Sequence, residues 1–197
     1  MASKVLSYPN HFTLACFSEL SYENQEESKA PRSVNKELEK YVFSTLSKWN
    51  VLKVFDKPEC GNYYGVIFEN IEEKQIVLAH RGVSIRTSAQ DCTEEPLPGS
   101  YTLDKYLSII SEGLAGNREE AAYEATKFAV EAAKTNEFTL TLTGHSLGAY
   151  LSEISILSCH QRLEYYRAKA VTFESPGSKR KLKAMKLNIE TTGTKIS

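Results

Sequence analysis

The stretch that most limits the fold is EFTLTLTGHSLGAYLSEISILS, residues 137–158. Its first part alternates Thr with Leu, as a strand does, and apolar residues then recur at helical spacing after Ser146. No loop separates the two patterns. A chain that turns from strand to helix across one residue must bend abruptly there, with a strained backbone at the bend. Gly144 and Gly148 lie two places to either side of Ser146, where side chains would strike the neighbouring strand and turn. Such a joint calls for a sheet with helices packed against it.

The rest of the chain supplies those elements. Residues 12–23 predict a short helix, followed by the polar linker QEESKAPRS. Residues 33–49 carry Val34, Leu38, Tyr41, Val42, Thr45, Leu46 and Trp49 at spacings of three and four, which predicts a second helix with one apolar face. GNYYGVIFEN and KQIVLAHRG are rich in aromatic and β-branched residues and read as strands, joined as a hairpin through IEEK. Ile76 to Ala79 are continuously apolar, as in a strand buried on both faces. Residues 83–100 are polar and irregular, with Pro96, Pro98 and Gly99, and too long for an ordinary connection; they read as a working loop or a disordered one. A helix follows from a cap at Asn117 to about residue 135. It has Glu119 and Glu120 in its first turn, where the helix dipole favours them. Ala121, Ala122, Ala125, Phe128, Ala129, Ala132 and Ala133 line one side. AKAVTFESPG is a last strand. Strand, helix, strand, helix, strand with short joints predicts an α/β fold, one domain over 1–197, with a mostly parallel sheet flanked by helices.

Composition narrows the function. With 197 residues, 41% of them apolar, the chain can bury a real core. Its 24 Lys and Arg against 25 Asp and Glu exclude general nucleic-acid binding. No apolar run reaches the length of a membrane span. Pro9, Asn10 and His11 break the N-terminus, so no signal peptide is read there. Cys16, Cys60, Cys92 and Cys159 are widely spread, with no CxxC; without a secretion signal they read as free thiols in a reducing compartment, and the chain as cytoplasmic. No metal-ligand cluster and no phosphate-cradling glycine loop occurs, so no cofactor is expected.

The bend at Ser146 would lift its hydroxyl above the sheet edge as a nucleophile. The N–H of Leu147, at the start of the helix, would then face negative charge on a carbonyl oxygen under attack. A second donor is available where IVLAHRGV ends in a turn at Arg81-Gly82, namely the N–H of Val83. The plainer readings are a tight strand-to-helix turn and a strand-ending turn with no chemistry.

YYGVIFEN, IVLAHRG, the polar stretch after it, LTLTGHSLGAYLSE and AVTFESPG occur in that order and cover most of residues 60–177. Together they resemble the class 3, fungal-type lipase family of the α/β-hydrolase fold. The resemblance implies hydrolysis of triacylglycerol or other carboxylic esters through an acyl-enzyme on Ser146. It also implies that the loop after Gly82, with Ile85, Leu97 and Tyr101, helps form a lid and an oxyanion site. The family usually has threonine or serine after the Arg-Gly pair; here Val83 leaves only the backbone donor, and Ser84 comes one place late. Loss of one such donor costs about 10²–10³ in kcat.

The same family supplies an aspartate and then a histidine after the nucleophile. From Leu147 to the last residue there is no aspartate and one histidine, His160. His160 lies at the far end of the helix, roughly 20 Å from the hydroxyl at about 1.5 Å per residue. His145, next to Ser146, reads as packing or capping locally, His80 as a core or rim histidine, and His11 belongs to an unpatterned N-terminus. None makes a convincing base. Glu174, after AVTFE on the ligand-binding edge of the sheet, reads either as a triad acid or as a lone loop carboxylate with no histidine to orient. No later segment resembles the strands that would complete the sheet, which leaves AVTFE as an open edge; the chain reads as shortened at its C-terminus. Lys179, Arg180, Lys181, Lys183 and Lys186 crowd a short helix with Leu182, Met185 and Leu187. It reads as a solvated helix with one packed side, or as a contact with anionic lipid.

The expectation is a lipase-like serine ester hydrolase of lipid metabolism, acting on a lipid or small acyl ester and weak or inactive in this chain. The alternative is a non-catalytic pseudo-hydrolase that binds lipid or a protein partner. An acyltransferase or thioesterase using the same serine stays open.

Overall fold

The computed structural model describes residues 6–83 and 116–191. Helices α1 (His11–Leu20) and α2 (Lys36–Leu46) come first, followed by strands β1 (Asn50–Lys57), β2 (Tyr63–Asn70) and β3 (Gln75–His80). Then come α3 (Gly116–Asn136), β4 (Thr139–His145), α4 (Leu147–Gln161), β5 (Ala168–Phe173) and α5 (Lys179–Thr191).

The five strands form one sheet in the order β1-β2-β3-β4-β5. β1, β2 and β3 make an antiparallel meander, because short connections can only reverse the chain. β3, β4 and β5 are parallel and joined through helices. The α/β expectation therefore holds with a mixed sheet, whose parallel part carries the Ser146 joint.

Alternating side chains divide the core in two. Ile76 and Leu78 of β3, with Leu140 and Leu142 of β4, join the cluster under α3 and α4. Val77 and Ala79 of β3, with Val66 and Phe68 of β2, join the cluster under α1. β3 is buried on both faces, as its apolar run predicts. Ala121, Ala122, Ala125, Ala129 and Ala133 are buried and let α3 lie close against the sheet. Phe128, placed on that face by its spacing, instead stands outward and meets Phe55 edge-on, with centroids 5.8 Å apart. Asn117, read as a cap, lies one residue inside the first turn.

Two other expectations are corrected. The apolar face drawn over 33–49 does not form as a unit: Leu46 and Trp49 are buried, but Val34 and Tyr41 are exposed. The helix itself runs only from the Asn35 cap to Leu46, so positions 34 and 49 fall outside its period. Trp49 packs past the helix end against Phe17, at 4.8 Å between centroids. Strand β1 has no counterpart in the sequence reading. Its register shifts between Val51 and Lys53, and that irregularity erases the alternation by which a strand is recognised.

Among the described residues β5 pairs only with β4, and its side chains are mostly half-buried. α5 sets Leu182 and Met185 against the core, as the one-sided pattern predicts. Lys181 pairs with Glu119 of α3, and the Ser178 hydroxyl donates to Glu153 of α4.

Candidate functional site

β4 ends at His145 and α4 begins at Leu147, so Ser146 alone makes the joint. Its backbone has φ 55° and ψ −121°, a region that residues with a Cβ rarely adopt. Hydrogen bonds hold it there. Its N–H donates to the Phe173 carbonyl at 3.1 Å, and its carbonyl accepts from Ala149 and Tyr150 at 3.0 and 3.2 Å. Its hydroxyl makes no cap bond to the helix, and the residue is half-buried.

The flanking glycines are required by backbone, not by side chains. A Cβ on Gly148 would run into the His80 carbonyl and come within 2.9 Å of its carbon. One on Gly144 would sit 2.5 Å from the Gly148 carbonyl oxygen and 2.7 Å from that of His80. The first turn of α4 is thus pressed against the end of β3. Gly82 is equally close: a Cβ there would meet the Tyr22 hydroxyl and lie 2.5 Å from the His145 carbonyl oxygen. Val83 follows Gly82, half-buried, and packs against the same core cluster as the buried Leu147 side chain. Leu147 is the first residue of α4, so its N–H has no carbonyl partner within the helix. Ser84, the expected lid with Ile85, Leu97 and Tyr101, and Cys92 lie outside the described residues.

The histidines are placed elsewhere. His145 sets Nε2 3.0 Å from Glu174 Oε2 and Nδ1 3.0 Å from the Tyr22 hydroxyl. The neutral tautomer that satisfies both donates from Nε2 to the carboxylate and accepts from the tyrosine at Nδ1. The expectation that Glu174 has no histidine to orient is therefore overturned, as is a purely local role for His145. Both ring nitrogens are spent on groups other than the serine. His80 is fully buried, with Nδ1 2.9 Å from the Tyr63 hydroxyl and Nε2 without a partner. Burial without an opposing charge pushes its pKa down to about 3, so it is neutral. His160 lies 3.3 Å from the Ala168 carbonyl oxygen and stacks on Tyr166. His11 opens α1 and is exposed. Among the described residues no histidine bonds the Ser146 hydroxyl.

Neither a protein-family model nor a curated protein sequence matches the chain. Solved structures do. MDLA from Penicillium cyclopium, in a mutant form, superposes with a TM-score of 0.54 at 18% identity, over 79% of this chain and 57% of its own. A structure described as a fungal lipase superposes with a TM-score of 0.54 at 18% identity, over 78% of this chain and 57% of its own. The fold is that of the fungal lipases. The chain spans a little over half the length of those two structures.

Within this lipase fold, one site residue had no signal in the sequence. Tyr22 falls within the stretch read as a helix over 12–23 but lies just past the end of α1, and only the tertiary structure brings it across to His145 and Gly82. It joins the turn after β3, the Ser146 joint and, through His145, the end of β5. Cys16, Cys60 and Cys159 are free thiols. Among the described residues no helix is long and apolar enough to cross a membrane, and no group of His, Cys, Asp or Glu is placed to hold a metal ion.

Proposed function

We propose that the chain is one lipase-like domain of serine ester hydrolase lineage, directed at acyl esters of lipids, with Ser146 as nucleophile. The observation that carries this reading is the backbone at Ser146, φ 55° and ψ −121° between a parallel strand and a helix. That conformation stores strain, and its use is to present a hydroxyl at the sheet edge. The likeness in fold to fungal lipases supports a lipid ester as substrate, and the three free thiols support a reducing, cytoplasmic setting.

In this reading the Ser146 oxygen attacks the ester carbonyl, whose oxygen gathers negative charge. The N–H groups of Leu147 and Val83 donate to that oxygen. Collapse expels the alcohol and leaves an acyl-serine, which water then cleaves to the acid. The serine proton is the weak point. His145 is engaged by Tyr22 and Glu174, and no other described histidine bonds the hydroxyl. Without a base, binding and oxyanion contacts leave a rate enhancement of about 10³–10⁴ over water. The chain by itself is therefore expected to turn over esters slowly.

The engaged His145 also favours a second reading, a pseudo-hydrolase that binds lipid or a protein partner without turnover. A fluorophosphonate probe separates the two. The hydrolase reading expects covalent labelling of the folded chain that Ser146→Ala abolishes. Absence of labelling in folded protein selects the pseudo-hydrolase. A turnover number typical of lipases would contradict the expected low activity and require a base outside the described histidine contacts.

A further inference from the structure

A cleft of about 440 Å³ lies between α3, α4 and α5. This volume is within the roughly 300–1,000 Å³ of small-molecule sites. It opens along the helix that begins at Leu147, roughly 10–22 Å beyond that residue at about 1.5 Å per residue. It is thus separate from the Ser146 joint.

Its wall along α4 is the stripe Ile154, Ser155 and Ser158, spaced as neighbours on one helix face and continued by Arg162 at the C-cap. Two serines stand where a core-facing stripe ordinarily carries larger apolar residues, and this leaves the space open. Ser158 donates to the Ile154 carbonyl, but the Ser155 hydroxyl, on a residue only 2% exposed, has no partner. A buried donor without an acceptor is costly, and a ligand oxygen would relieve it.

The charges in the cleft are unequal in their engagement. Lys181 is neutralised by Glu119, which also accepts from the Tyr150 hydroxyl at 2.6 Å. Arg162 sits 4.0 Å above the Tyr123 ring and has no carboxylate partner among the described residues. A guanidinium seated over an aromatic face is anchored on one side and leaves its N–H groups free to take a carboxylate. Exposed Glu120 also lines the cleft, and its charge disfavours a dianion such as a phosphomonoester. Ile154 and Met185 offer apolar surface to the remainder of a ligand.

We propose that this cleft binds a monocarboxylate with an apolar tail, its carboxylate on Arg162 and Ser155 and its tail along Ile154 and Met185. The site is independent of the ester-hydrolysis reading.

The test is calorimetric titration of the folded full chain with decanoate below its micelle concentration. Acetate, decanol and decyl phosphate serve as comparison ligands. Saturable binding of one decanoate is expected, with each comparison ligand at least tenfold weaker. Arg162→Ala, at an exposed position, is expected to weaken decanoate at least tenfold. Ser155→Leu fills the cleft and is expected to abolish binding while circular dichroism still shows folded protein. Ser146→Ala is expected to leave binding unchanged. The proposal is overturned if decanoate does not saturate, if Arg162→Ala binds like the parent, or if decanol or decyl phosphate equals decanoate. It is equally overturned if Ser146→Ala removes the binding, which would place the ligand at the serine joint. Should Ser155→Leu fail to fold, Arg162→Ala and the ligand series decide the matter alone.

Discussion

At the scale of single residues, Ser146 and its glycines form one mechanical unit. The strain at Ser146 is maintained by three backbone hydrogen bonds and by the close approach of Gly148 to the end of β3. Because the obstruction at Gly148 is main chain, it cannot rotate away. Gly148→Ala is expected to destabilise the fold by about 1–3 kcal/mol, read from the urea midpoint. An unchanged midpoint would mean that the elbow and β3 are not in contact. His80 gives a prediction of a different kind. Its folded-state pKa of about 3 lies below its ordinary value of 6.5, so below pH 6.5 the unfolded chain takes up the proton that the folded chain refuses. Stability from this group is whole above pH 6.5 and falls by at most about 1.4 kcal/mol per pH unit as the pH drops toward 3. His80→Gln should flatten the dependence of the urea midpoint on pH across that window; an unaltered slope would assign the acid sensitivity to other groups. The bend at Ser146 was legible from its glycine spacing. The engagement of His145 was not, since Tyr22 and Glu174 lie 123 and 29 residues away along the chain.

At the scale of elements, sequence period was informative where burial was one-sided and continuous. The alanine face of α3 is the clearest case, with five alanines essentially buried against the sheet. Ala125→Leu should force α3 away from β2 to β4 and cost about 1–3 kcal/mol in thermal or urea unfolding, whereas a leucine at exposed Lys127 should be nearly neutral. Capping was the weaker signal. Asn10 accepts from the Thr13 N–H at 2.8 Å and fixes the start of α1, yet in the sequence it read only as an interruption. Asn10→Ala is expected to cost about 1 kcal/mol. The two misreadings arise where local period breaks down, each for its own reason. β1 lost its alternation to a bulge, and the stripe over 33–49 combined a short helix with a tryptophan that packs after the helix has ended.

At the scale of the whole molecule, both core clusters share the central strands, so loss of one face should unseat the other. The chain's single tryptophan, Trp49, is 4% exposed and reports on the α1 side, while most of the long helical content lies on the α3 and α4 side. Trp49 fluorescence and far-ultraviolet circular dichroism are therefore expected to give coincident urea transitions. Separated transitions would divide the chain into two folding units and reject the single-domain reading. The amino-acid order by itself determined the parallel β3–β4–β5 unit and the bend at Ser146, because these depend on local period and on glycines that tolerate close backbone contact; the lipase-like fold was legible only through the resemblance of its motifs to that family. The tertiary structure alone decided that His145 is shared between Tyr22 and Glu174, that His80 is neutral in the core, and that two serines of α4 open a cleft. Each of those facts depends on which distant segment lies opposite a side chain, and no local pattern encodes that.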